Sequence, residues 1–148
     1  MTSHREAIVG TFSARGLRCT PQRYVLFDYL RRHPSHLTAD EIFRTVNSRD
    51  PRASRATVYN SLHALVKAGL VREVALVGHA THYECHTEDH HHFVCGRCGR
   101  IDDVEWFDIP DVIQRAKLSP KNIRSWELVL HGLCKSCAAQ KKERNARG

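Results

Sequence analysis

Residues 54–69, Ser54-Arg55-Ala56-Thr57-Val58-Tyr59-Asn60-Ser61-Leu62-His63-Ala64-Leu65-Val66-Lys67-Ala68-Gly69, decide how the first half of this chain reads. Ser54 is a helix N-cap residue, Val58, Leu62, Leu65 and Val66 recur at helical spacing, and Gly69 is a C-terminal stop. Directly afterwards the apolar period drops to two. Leu70 to Val77 and Thr81 to Cys85 predict two strands around a turn at Gly78-His79. Upstream, Glu6 to Arg15 predicts a helix ended by Gly16. Thr20 caps a second helix opening on Pro21 and running through Leu30, and Thr38 with Glu41 makes a capping box for a third, Ala39 to Asn47, that buries Ile42 and Phe43. Three helices behind a short leading one, then a hairpin, is the order of a winged helix-turn-helix. The alternative on shape alone is a small helical protein-binding domain.

The second half turns on two identical spacings, Cys95-Gly96-Arg97-Cys98 and Cys134-Lys135-Ser136-Cys137. Each pair offers two thiolates from one tight turn, and together they fill a tetrahedral zinc with no position left for water, which makes the site structural. Around the pairs, short strands are expected at Phe93 to Cys95 and Ile101 to Trp106. A helix is expected from about Pro110 to Lys117, a strand from Ile123 to Leu133, and a basic helix from Lys135 to Arg147. The fold class is therefore α+β: a winged-helix domain at 1–85, a histidine-rich hinge at 86–92, and a small zinc-stapled domain at 93–148.

Composition narrows the partners. The 148 residues carry 23 Lys and Arg against 16 Asp and Glu, a net charge of +7, with 41% hydrophobic content, enough for packed cores. The excess is concentrated in residues 1–84, with 12 basic side chains against 7 acidic, so this half is the better match for a polyanion. No apolar run reads as a signal peptide or a membrane span, and six cysteines without an export signal suit metal ligation in a reducing cytoplasm. Cys19 reads as a small buried apolar residue.

Six of the 11 histidines fall between His79 and His92. In an extended segment His90 and His92 share a face while His91 points away. With Glu84 or Asp103 they offer a nitrogen-and-oxygen site suited to iron, manganese or zinc, and His36 is the N-terminal histidine best placed to join. A cation held there, between the two halves, is positioned to shift the balance of their arrangements.

Thr20-Pro21-Gln22-Arg23, His36-Leu37-Thr38-Ala39-Asp40-Glu41-Ile42-Phe43, Ser54-Arg55-Ala56-Thr57-Val58-Tyr59, Asp89 to His92 and the two cysteine pairs together resemble the ferric uptake regulator family from about Ala7 to Cys137, most closely its peroxide-stress branch. The resemblance implies a cytoplasmic homodimeric repressor that binds double-stranded palindromic operators when metallated, with no membrane and no small-molecule substrate other than peroxide as signal. Residue by residue it implies structural Zn²⁺ on Cys95, Cys98, Cys134 and Cys137, and regulatory Fe²⁺ or Mn²⁺, with Zn²⁺ as alternative, on His36, Glu84, His90, His92 and Asp103. His36 and His90 match the histidines oxidised by peroxide in that branch. Asp103 is similar to the peroxide sensors and Glu84 to the iron-uptake regulators, while Cys85 stands where zinc-uptake regulators use a sensory cysteine. Regulation by iron or zinc availability alone is therefore the alternative. Cys85 and His91 are candidate additional ligands; in a further family site Trp126 stands where a histidine is expected, with His91 and Asp111 as its remaining candidate members.

Tyr59 and Asn60, near the start of the last helix, are placed to reach base edges, and Arg18, Arg23 and Arg55 to meet phosphates. Ser54 and Thr57 complete the candidate DNA-contacting set. An enzyme reading, with His82-Tyr83-Glu84 and Cys95-x-x-Cys98 as a zinc deaminase site, fails because no proline precedes Cys95 and the second cysteine pair closes the coordination sphere. A metal-storage protein is a further rival, separable by whether metal changes DNA retention.

Overall fold

The computed structural model describes residues 3–49, 51–109 and 111–146, and the chain divides into two compact units, Met1–Thr87 and Glu88–Gly148. The first unit begins with α1 (His4–Ala14), capped by Ser3 in a capping box with Glu6. It continues with α2 (Pro21–Arg32), capped by Thr20, then β1 (Leu37–Thr38), α3 (Ala39–Arg49) and α4 (Arg55–Lys67), capped by Ser54. Burial follows the three-and-four spacing of each helix: Ile8 and Phe12 on α1, Leu26, Phe27 and Leu30 on α2, Ile42 and Val46 on α3, Val58, Leu62 and Leu65 on α4. Phe12 and Phe27 meet edge to face at 5.3 Å in the centre of this core, and α4 packs against both α2 and α3.

Both α1 and α4 end in a Schellman turn. Leu17 N–H bonds Phe12 O and Leu70 N–H bonds Leu65 O, with Gly16 and Gly69 in the left-handed region at φ +63° and +69°. That motif uses up Leu70, so the expected strand from Leu70 to Val77 shrinks to β2 (Arg72–Val74), and its partner to β3 (His82–Glu84). The wing gains a strand that the sequence reading missed. β1, only two residues long, pairs antiparallel with β3 and gives the sheet order β1-β3-β2. Thr38 serves twice, as the end of β1 and as the cap of α3, its N–H and Oγ1 both donating to Glu41 Oε2 at 2.7 and 2.9 Å.

The second unit is built on β4 (His91–Cys95), flanked by antiparallel β5 (Ile101–Val104) and parallel β6 (Val129–Gly132), and ends with α6 (Lys135–Ala146). His91 and His92 thus belong to a central strand rather than to a free hinge, because partners on both sides take their backbone groups. The expected helix contracts to α5 (Val112–Arg115), closed before Lys117 at φ +55°; Pro110, its expected start, lies outside the described residues, as does Arg147 at the far end of α6. A 3₁₀ turn at Pro120–Asn122 occupies the approach to β6, and only the residues opposite His92 to Cys95 pair, so the strand expected over Ile123 to Leu133 is reduced to four. Among the described residues no helix is long and apolar enough to cross a membrane.

Candidate metal centres

The four cysteines come from three local devices. Cys95 ends β4, Cys98 sits in the turn that Gly99, at φ +73°, closes with its N–H on Cys95 O at 2.9 Å, and Cys134 and Cys137 straddle the first turn of α6. Their sulfurs converge, one atom from each lying within 4.8 Å of the others. Cys98 Sγ and Cys134 Sγ are 3.8 Å apart, and a tetrahedral ion with bonds of about 2.3 Å spaces its sulfurs by about 3.8 Å. The Cys134 N–H donates to Cys95 Sγ at 3.3 Å and, with the Cys98 amide, pulls that thiol down to about 6, which favours the thiolate a metal requires. Arg97 donates to Cys137 O at 3.3 Å, tying the two turns together. Donor type, number and spacing all fit a closed zinc site.

In the second unit, His90 and His92 flank His91 at the head of β4. The His90 Nδ1 contact at 2.7 Å is to Glu88 O, which can only accept, so Nδ1 carries the proton; His92 Nδ1 likewise faces Glu127 Oε2 at 3.1 Å. A ring in the Nδ1–H tautomer keeps its lone pair on Nε2, and the two Nε2 atoms face each other at 3.1 Å. Two facing lone pairs suit a cation between them, and two cis ligands of an octahedral ion with bonds of about 2.1 Å lie about 3.0 Å apart. Asp103, opposite His92 in the β4–β5 register, places Oδ1 3.5 Å from His90 Nε2. His90 and His92 are 1% and 0% exposed, an expensive place for imidazoles with no task.

The first unit holds a matching pair. Because β1 pairs with β3, His36 just before β1 comes opposite Glu84, and His36 Nε2 lies 2.7 Å from Glu84 Oε2. Both side chains are buried, and Arg72 Nε stands 4.0 Å from the other oxygen of Glu84.

The two candidate additional ligands behave differently. Cys85 packs partly buried against the first core, and that burial pushes its thiol up to about 12. His91 is 0% exposed and already committed: Leu128 N–H donates to Nδ1 at 3.0 Å and Nε2 meets Phe107 O at 2.9 Å. Its ring stacks on Trp106 at 4.6 Å, with Phe107 and Trp126 closing the nest, so it is a core histidine without a lone pair to give. Sequence reading missed this nest, and it missed Glu127 and Arg72 as partners of site residues.

On α4, Tyr59 and Asn60 are exposed on the first turns while Thr57 N–H is taken by the Ser54 cap at 3.0 Å. Arg55 is ion-paired to Asp40 and stacked over Phe43 at 4.6 Å. Arg23 Nη1 donates to Arg18 O at 3.0 Å, bracing the loop before α2, and Arg18 itself is exposed.

The model of the ferric uptake regulator family matches residues 14–133. The chain is similar to the peroxide operon regulator of Bacillus subtilis, 34% identical over 134 residues that cover 90% of this chain and 91% of that protein. It is also similar to the peroxide-responsive repressor PerR of Staphylococcus epidermidis, 31% identical over 133 residues and 89% of each. Among solved structures it resembles the Helicobacter pylori ferric uptake regulator, with a TM-score of 0.67, 25% identity and 90% of each chain covered. Since the family match runs from the last residue of α1 to Leu133, one short of the second cysteine pair, the chain belongs to the ferric uptake regulator family.

Proposed function

We propose that this protein is a metal-dependent, DNA-binding transcriptional repressor that senses peroxide through oxidation of its own ligand histidines. The observation that carries the reading is the pair of buried imidazoles, His90 and His92, with Nε2 atoms 3.1 Å apart. His36 and Glu84 from one unit, and His90, His92 and Asp103 from the other, supply three nitrogens and two carboxylates to one regulatory ion, Fe²⁺ or Mn²⁺, while Cys95, Cys98, Cys134 and Cys137 hold Zn²⁺. Two carboxylates neutralise a divalent charge, and the mixed donor set suits a borderline metal with redox chemistry. Similarity to two peroxide-responsive regulators supports the choice of signal. Bound Fe²⁺ would catalyse cleavage of the peroxide O–O bond. The rings of His36 and His90 would supply the two electrons overall, one peroxide oxygen entering a ring carbon in place of its hydrogen and the other leaving as water, and a ring so altered would no longer hold the metal.

Residues 1–85 bind DNA and residues 93–148 dimerise, with the ligand-bearing segment 86–92 between them and its last two residues already in β4. Trp106, Phe107, Leu118, Leu130 and Leu133 are exposed apolar side chains of the second unit and support its role in pairing two copies. A dimer carries two copies of α4, which suits a palindromic operator in the cytoplasm. The test is operator retention by zinc-loaded protein with and without added Fe²⁺, followed by mass spectrometry after peroxide. Metal should raise affinity, and peroxide should abolish it while adding oxygen to the peptide of His36 or His90. Equal binding without added metal, or release with both peptides unmodified, overturns the reading.

A further inference from the structure

The segment 126–128 grips both strand histidines. Trp126 lies against His91, Leu128 N–H donates to His91 Nδ1, and Leu128 O accepts from His92 N at 3.0 Å. Glu127, between them, places Oε2 3.1 Å from His92 Nδ1. The parallel β4–β6 register, His92 opposite Val129, is what brings this carboxylate behind the ring.

We propose that Glu127 is a positioning residue for the regulatory metal, holding His92 in the Nδ1–H form so that Nε2 is its donor atom and making the imidazole a stronger ligand; this rests on the regulatory site proposed above. A carboxylate that accepts from the far nitrogen of a ligating histidine fixes the ring's tautomer and orientation and raises its basicity, and losing such a partner costs 10–100-fold in metal affinity as an order of magnitude. On His90 the Nδ1 contact at 2.7 Å is to the neutral carbonyl of Glu88, whereas on His92 it is to a carboxylate, so the charged support falls on His92.

The experiment titrates Mn²⁺ into the zinc-loaded full chain for wild type, Glu127→Gln and Glu127→Ala, and records ¹⁵N ring shifts of His92. Glu127→Ala should weaken Mn²⁺ binding by about 10–100-fold and let His92 populate both tautomers. Glu127→Gln keeps an acceptor without its charge and should fall between. An unchanged zinc content and melting profile separates this from general unfolding. If wild type binds Mn²⁺ and Glu127→Ala matches it within about twofold, with His92 still Nδ1-protonated, the role of Glu127 is refuted. If wild type itself takes up no Mn²⁺, the regulatory site falls, and this proposal with it.

Discussion

Stripping the ion from the four-cysteine cluster should unfold the second unit and leave the first intact. Among the described residues the buried apolar side chains of that unit outside the cysteines are Val94 and Ile101, and beside the aromatic nest around His91 a packed cluster is made of Cys95, Cys134 and Cys137 with Phe93 against it. Burying an aliphatic side chain contributes about 1.5–3 kcal/mol, whereas zinc in a small thiolate site contributes about 10–16 kcal/mol. Whole domains of this size are stable by only about 5–15 kcal/mol, so metal loss exceeds the margin. The first unit, with Phe12, Leu26, Leu30, Ile42, Leu62 and Leu65 each no more than 1% exposed, has its own apolar core. Amide hydrogen exchange reads both units at once. With a strong chelator, protection should collapse at Cys95 N–H, Gly96 N–H and His92 N–H, which bond Arg100 O, Gly132 O and Leu128 O. Protection in α1, α2 and α4 should persist. Retained protection in β4 after zinc loss has been verified by elemental analysis would refute the argument that the metal holds this unit together.

Three further substitutions probe the first unit. The Thr38 N–H, followed by its hydroxyl, holds the Glu41 carboxylate below its ordinary range. A depressed folded-state value means the stabilisation is present above the unfolded value and is lost as pH falls through the folded one. Glu41→Ala should cost about 0.5–1 kcal/mol at pH 7, and urea melts should show the gap to wild type closing in acid; a gap independent of pH contradicts the capping role. Arg18→Ala should weaken binding to every DNA sequence and lower the salt slope by about one, while Asn60→Ala should cost about 1–3 kcal/mol on the operator alone. Binding isotherms on operator and random duplex separate the two, and identical behaviour of both variants would remove Asn60 from base readout.

Local signals carried much of this protein's structure. Ser54, Thr20 and the Thr38–Glu41 box act where hydrogen-bond chemistry places them, within three residues along the chain, and the helices of the first unit follow from apolar spacing. Cysteine spacing identifies the four-sulfur cluster for the same reason: two ligands per turn is a local property. Periodicity also put His90 and His92 on one face, because alternation in a strand is local too. What the chain could not announce is whatever depends on register between distant segments. β1 is too short to show a period, yet its pairing with β3 is what sets His36 against Glu84. The parallel pairing of β4 with β6 crosses more than thirty residues, and it alone decides that Glu127 backs His92 and that Trp126 helps enclose His91. Burial, likewise, is a property of the folded whole: it made His91 a core ring with both nitrogens engaged, since solvent access and hydrogen-bond partners exist only once the strands are in place.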